Sequence, residues 1–439
     1  MLNQDNRLVE SFLNRTFFSG WQNSHQSQFA NYASLELQIN SRCDLACRYC
    51  YYSKFGHHLY PESISEDSLV LRNLDLLLEW LSKNCMNPEI EIFSGEPFSQ
   101  EIGFTVLEKL INWGIKNRLC FPITVPTNFT FIFDQSRTER LNSLIKKGLD
   151  NQISVRLSAS IDGKFYDNIN RPMVNGRQRD EEYYNEVFKF CKQWNFSFHP
   201  MIYSHLIERW KENFLWFQSK FEEFGFPFST LYLLEVRNKN WTVKQIREFY
   251  KVIRFIVNWV YDKSGLHGEE FVRFVFSGKL LNLFSILSTN HRGVGCSVQS
   301  NVQLRLGDLM VSVCHRTAYK PFNLWKFTAN EHEITGVEAI NANLMLTVAS
   351  LDTRNMPICE CCLVRELCIG QCLGSMFETN GDPFMPIPTV CALEHAKIAA
   401  ILDGIWDIGE MGHFYNISMR KKKDSIRLIE IMRGHYGNY

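Results

Sequence analysis

The 439-residue chain has no net charge, because 47 lysines and arginines balance 47 aspartates and glutamates. That balance leaves no electrostatic footprint for nucleic acid or another polyanion. One basic run, Arg420-Lys421-Lys422-Lys423, reads as a solvated tail or helix end. No run of about 18 apolar residues occurs, so no membrane-spanning helix and no membrane partner is expected. Met1 to Glu10 is polar, without the apolar core of a secretion signal. The expected location is therefore cytoplasmic, where thiols stay reduced. Internal repeats and low-complexity tracts are also missing.

Cysteine is what the chain does have, 14 residues unevenly placed. Cys43, Cys47 and Cys50 form one group; Cys296, Cys314, Cys359, Cys361, Cys362, Cys368, Cys372 and Cys391 form another. In a reducing compartment such clustering points to metal rather than disulfides. Cys191, at helical spacing between Val187 and Trp194, reads as core, and Cys85 and Cys120 beside strands read the same way.

Strand-like tracts at 35–39, 89–93, 121–125, 153–161, 196–203 and 231–236 alternate with helical ones near 74–81, 104–117, 137–147, 181–194 and 208–221. Ser63-Ile64-Ser65-Glu66 has the spacing of a capping box ahead of the first helix. The alternation predicts an α/β fold with right-handed crossovers and a parallel sheet. Six units make a partial (β/α)6 TIM-like barrel, with chemistry at the C-terminal strand ends. The expected division is an N-terminal extension 1–34, the barrel 35–240, a helical bridge 241–290, a cysteine-rich domain 291–397 and a helical tail 398–439.

Cys43-x3-Cys47-x2-Cys50 follows the first strand directly. Three thiolates in one loop can hold three irons of a cubane cluster and leave the fourth open to a chelating ligand. The competing reading is a zinc site completed from elsewhere, although zinc favours paired Cys-x2-Cys knuckles.

The segment Cys43-Asp44-Leu45-Ala46-Cys47-Arg48-Tyr49-Cys50 resembles the radical S-adenosylmethionine (SAM) superfamily. The resemblance implies a 4Fe–4S cluster on Cys43, Cys47 and Cys50, with SAM on its open iron and the backbone at Tyr49 against adenine. Phe93-Ser94-Gly95-Glu96-Pro97 is similar to the family's Gly-Gly-Glu-Pro, with Ser94 at the first glycine. By that likeness Glu96 binds the SAM ammonium, and Gly95 lets the backbone approach the ligand. Asn128, Ser160 and Arg171 match ribose and carboxylate contacts by position. Asn128 and Asp162 serve equally well as turn residues, and Arg171 as a surface ion-pair residue.

Cys359-x2-Cys362-x5-Cys368-x3-Cys372, then Cys391, preceded by Cys296, Gly307 and Cys314, resembles the SPASM extension of peptide-modifying radical SAM enzymes. The resemblance covers roughly residues 35–397. It implies one or two auxiliary 4Fe–4S clusters: Cys359, Cys362, Cys368 and Cys391 on one, Cys296, Cys314 and Cys372 on the other. A zinc ribbon is the alternative for this region. Six residues rather than four separate Gly307 from Cys314, which predicts a longer hairpin. No cysteine lies between Cys296 and Cys314, so the second auxiliary cluster is open, takes another ligand such as His315, or is absent. Cys361 is extra and is expected to turn away from the metal.

The implied activity is reductive cleavage of SAM to a 5′-deoxyadenosyl radical and hydrogen abstraction from a ribosomally made precursor peptide. Cross-linking, epimerisation or backbone excision would follow. Anaerobic sulfatase maturases have an aspartate after the hairpin cysteine; His315 stands there, as a general base or as a mere surface histidine. A non-catalytic iron–sulfur scaffold is the third reading. The expected partners are the precursor peptide and an electron donor such as flavodoxin or ferredoxin. A separate peptide-recognition protein is also expected, because only 34 residues precede the first strand.

Overall fold

The computed structural model describes residues 34–52, 66–84, 88–93, 95–277, 280–281, 301–341, 343–344, 347, 356–365, 367–368 and 370–419. Its first part runs β1 (Ser34–Gln38), α1 (Asp67–Asn84), β2 (Glu89–Ile92), α2 (Glu101–Asn117), β3 (Pro122–Thr127), α3 (Gln135–Asp150) and β4 (Ser154–Ala159). Next come α4 (Glu181–Trp194), β5 (Ser197–Phe198), β6 (Met201–Ile202), α5 (Trp210–Phe224), β7 (Leu234–Glu235), α6 (Val243–Ser264) and α7 (Gly268–Val275). Last are β8 (Asn301–Arg305), β9 (Met310–Ser312), β10 (Asn323–Ala329), β11 (Ile334–Ala339), α8 (Leu373–Asn380), α9 (Pro388–Asp407) and α10 (Met411–Met419). The chain gathers into two compact units: residues to 160 with 168–187 and 297–350, and residues 161–167 with 188–296 and 351 onward.

In the first unit the strand order is β11-β10-β9-β8-β1-β2-β3-β4. From β8 to β4 every pair is parallel, and for β1 to β4 the strand–helix alternation predicts it. Beyond β8 the pairs are antiparallel. The segment after residue 300 thus extends the sheet by pairing β8 with β1, a grouping that the linear scheme with its division near 290 does not contain.

Alternation along β1 sorts the two faces. Leu35 aligns with Ile90, Ile90 with Ile123 and Ile123 with Val155, an apolar row that is buried throughout. Burying such side chains stabilises by about 1.5–3 kcal/mol each. The opposite face carries a polar row, because Glu36 aligns with Glu91 and with Gln303, Gln303 with Ser312, and Ser312 with Asn323. The β8–β9 hairpin turns through Leu306–Leu309, with Leu309 at φ 58°. Arg305 closes the turn with a 2.6 Å ion pair to Asp308.

In the second unit, α6 begins with a reciprocal cap between Thr242 and Gln245 and packs on α9. Gly404 permits that approach, since a Cβ there would lie 2.8 Å from Val257 Cγ1. Phe188 stacks on Phe198 with centroids 4.4 Å apart, in an aromatic core with Phe217, Phe221 and Phe226. Cys191 is buried there, as expected.

Some expectations need correction. The tract 196–203 splits into β5 and β6 about Pro200, which has no N–H to give a ladder. Of 231–236 only Leu234–Glu235 is strand, paired parallel with Met201–Ile202. Cys120 is exposed rather than core; its Sγ meets Gln152 Oε1 at 3.0 Å in the turn after α2. The capping-box residues Ser63–Ser65, together with Cys85, lie outside the described residues, and α1 starts at Asp67. No helix among the described residues is long and apolar enough to cross a membrane.

Candidate functional site

The loop bearing Cys43, Cys47 and Cys50 leaves β1 and is held from two sides. On one, it runs antiparallel to residues 170–174: Ala46 N–H bonds Pro172 O at 2.8 Å, Arg48 N–H bonds Asn170 O at 2.8 Å, and Val174 N–H bonds Asp44 O at 2.9 Å. On the other, Gly95 N–H bonds Asn40 O at 3.3 Å and Glu96 N–H bonds Arg42 O at 2.9 Å. A Cβ on Gly95 would sit 2.2 Å from Arg42 O. The glycine is therefore required by the cysteine loop's own backbone, a constraint separate from the ligand approach expected of it.

Glu96 is buried at the end of β2. Its Oε1 accepts from Thr127 Oγ1 at 2.7 Å and Phe98 N–H at 3.1 Å, and its Oε2 from Asn128 N–H at 2.6 Å. Burial pushes its carboxyl up to about 7, with Asp44 adding to the rise and the donors opposing it. A desolvated carboxylate with donors but, among the described residues, no paired cation suits a charged ammonium. The three thiols of one loop suit a cluster; among the described residues no three His, Cys, Asp or Glu close on a single metal ion.

The other matched residues are distributed around this loop. Arg171 is buried rather than on the surface and sits over the Tyr49 ring, 5.3 Å from its centroid. Asn128 is taken up by the loop itself: its Nδ2 bonds Asp44 Oδ1 at 2.8 Å and its Oδ1 accepts from Thr130 N–H at 2.9 Å. Thr130 Oγ1 closes the ring by bonding Asp44. Ser160, half-buried, ends β4 with its N–H on Thr127 O at 2.8 Å. Asp162 is a structural residue of the second unit, accepting from Met201 N–H at 2.9 Å. Ser94 and Cys296 lie outside the described residues.

His315 is brought to the same strand ends. Its ring stacks on Phe93 with centroids 4.0 Å apart and lies 6.2 Å from the ring of Tyr51, the residue after Cys50. Its N–H bonds Glu36 Oε2 at 2.7 Å and its Nδ1 lies 3.1 Å from the same oxygen. Burial, then Glu36, pushes the carboxyl of Glu91 up to about 7, against the pull of His315. Cys314, buried, precedes His315 with its Sγ 3.4 Å from Thr317 Oγ1. Neither Glu36 nor Glu91 was singled out from the sequence; the signal was a carboxylate between buried apolar residues in each strand.

In the second unit Cys359, Cys362, Cys368 and Cys391 line one cavity. Cys361 is exposed and does not line it. Cys372 immediately precedes α8 in this unit, whereas Cys314 belongs to the first. Two donors that sequence reasoning missed also line the cavity, Gln371 and His395. His395 follows Cys391 by four positions on α9, a spacing that could have revealed it.

No family model matches the chain, and no curated protein does. Solved structures do match. That of hexahistidine-tagged anSMEcpe with bound AdoMet has a TM-score of 0.59 at 15% identity, covering 90% of this chain and 98% of that one. Native anSMEcpe with bound AdoMet and Cp18Cys peptide has 0.55 at 16%, covering 92% and 99%. The fold is thus that of these structures, a mixed α/β architecture with a TIM-like core and a cysteine-rich C-terminal part. The chain is similar in fold to an anaerobic sulfatase-maturating enzyme, at an identity that speaks for fold alone.

Proposed function

We propose that this chain is a radical SAM enzyme that modifies a ribosomally made precursor peptide, by cross-linking, epimerisation or backbone excision. The observation that carries the proposal is the convergence of the three-cysteine loop, buried Glu96 and His315 on the ends of β1 and β2. Cys43, Cys47 and Cys50 would hold a 4Fe–4S cluster, and Glu96 would meet the SAM ammonium. Ser94, Gly95, Tyr49, Ser160 and Arg171 would frame the rest of SAM. When bound, the cluster and SAM supply a carbon radical that abstracts hydrogen from the substrate.

The chain's own residues do the remainder. The loop bonds fix the thiols, and Asn128 locks the loop to β3 through Asp44. Glu36 holds the ring of His315 through Nδ1, and the other ring nitrogen would move a substrate proton. Cys359, Cys362, Cys368 and Cys391 would hold an auxiliary cluster; Cys296, Cys314 and Cys372 would serve a second one that is open, completed by another ligand such as His315, or absent. A cytoplasmic setting with flavodoxin or ferredoxin as donor completes the proposal.

Formylglycine formation is the second reading, favoured by the fold neighbours; His315 in place of the expected aspartate weighs against it. A scaffold role requires that the SAM site be idle.

Ordering a flexible peptide costs about 1–2 kcal/mol per fixed residue. A separate recognition protein that anchors a leader would offset part of that cost and raise the local concentration of the reactive segment. Turnover of the cognate precursor, with and without leader and recognition protein, tests the proposal. Efficient modification that depends on both supports it. Full-rate modification of a leaderless core peptide by this chain alone overturns the recruitment, and activity only on a sulfatase-type peptide overturns the substrate class.

A further inference from the structure

Three of the four sulfurs in the second unit's cavity meet a hydrogen-bond donor. Gly370 N–H reaches Cys368 Sγ at 3.2 Å, and Gln371 Nε2 reaches Cys391 Sγ at 3.0 Å. His395 Nε2 lies 3.3 Å from Cys362 Sγ.

The orientation of Gln371 is fixed, because its Oε1 accepts from Ile387 N–H at 2.7 Å, which leaves the amide NH2 for the sulfur. His395 Nε2 faces Cys362, and with the ring proton on that nitrogen it donates to the sulfur. Behind Gly370 lies a buried charge network. Arg237 Nη1 bonds Gly370 O at 3.3 Å, Arg237 Nη2 pairs with Glu235 at 2.7 Å and Glu394 at 3.0 Å, and Lys397 bridges the same two carboxylates at 3.1 and 3.0 Å.

Four thiolates around an iron–sulfur cluster carry net negative charge, which grows when the cluster is reduced. Donors aimed at the sulfurs stabilise the reduced form more, and so raise the reduction potential. We propose that His395 and Gln371 donate to the ligating sulfurs of a cluster in this cavity and raise its potential. The inference rests on the auxiliary-cluster reading above.

The test is made in a full-length variant with Cys43, Cys47, Cys50, Cys296 and Cys314 changed to alanine, which leaves only this site to load. Iron is counted and the midpoint potential followed by electron paramagnetic resonance, with His395→Leu and His395→Gln compared. His395→Leu should keep its iron and show roughly a tenfold lower reduced-to-oxidised ratio at fixed poise, about 59 mV for one electron. His395→Gln, which retains a donor, should stay near the parent. Equal iron and equal potentials in all three overturn the hydrogen bond alone. Iron lost from both variants makes His395 a ligand and overturns the donor role. No iron, or zinc instead, in the parent overturns the cluster reading itself.

Discussion

His315 Nδ1 lies 3.1 Å from Oε2 of Glu36, a residue 279 positions earlier in the chain. The parallel pairing of β8 with β1 makes that meeting possible, since the β8–β9 hairpin delivers Cys314 and His315 beside the first strand. The ring is then fixed by Phe93, which belongs to the strand end that also carries Glu96.

The first prediction concerns this pair. His315→Ala should lower peptide modification by roughly a hundredfold, in the range of lost general-base catalysis. SAM cleavage without product should persist within about threefold, because the cysteine loop and Glu96 are untouched. Glu36→Gln should fall between wild type and His315→Ala. The measurement is product formed per SAM cleaved, and parallel loss of both reactions would assign His315 to the SAM site instead.

Glu96 carries a pH prediction. Its carboxyl is raised in the fold to about 7 from 4.5. A raised carboxyl binds its proton more tightly when folded, so its effect favours the fold at low pH. Stability of the unloaded protein then declines as pH rises from about 4.5 to about 7, by about 3 kcal/mol. Glu96→Gln should flatten that segment in urea titrations. SAM reverses the sign, since its ammonium favours the ionised carboxylate, and binding should strengthen as pH rises through 7. A SAM affinity that is flat with pH in wild type would contradict the role given to Glu96.

Gly95→Ala should leave the fold largely intact and spoil the loop. The added Cβ meets backbone, Arg42 O at 2.2 Å, so the loop must move rather than a side chain. The variant should bind less iron at Cys43, Cys47 and Cys50, read as lower iron content in a background with the C-terminal cysteines removed. Unchanged iron content would show that the close approach is dispensable.

How much of this was legible in the sequence follows from what each feature depends on. The parallel core was legible because Leu35-Glu36-Leu37-Gln38-Ile39 and its successors alternate with helical periods, and local pattern fixes such elements. The grouping of the cysteines was legible because residues in one loop carry their geometry in their spacing. Glu36 and Glu91 were not, because their meeting with His315 depends on which strands pair. Pro200 marked the break between β5 and β6, but the surrounding apolar residues masked it as one strand. Cys120 was misread for a similar reason: its neighbours Leu119 and Phe121 are apolar, yet the chain turns there and leaves the thiol outside.

The central claim is that the loop of Cys43, Cys47 and Cys50 cleaves SAM. Protein reconstituted anaerobically with iron and sulfide, then given dithionite and SAM, should release 5′-deoxyadenosine, and Cys47→Ala carrying its remaining iron should release none. Equal release from Cys47→Ala, or none from wild type with the loop's iron in place, would contradict the account.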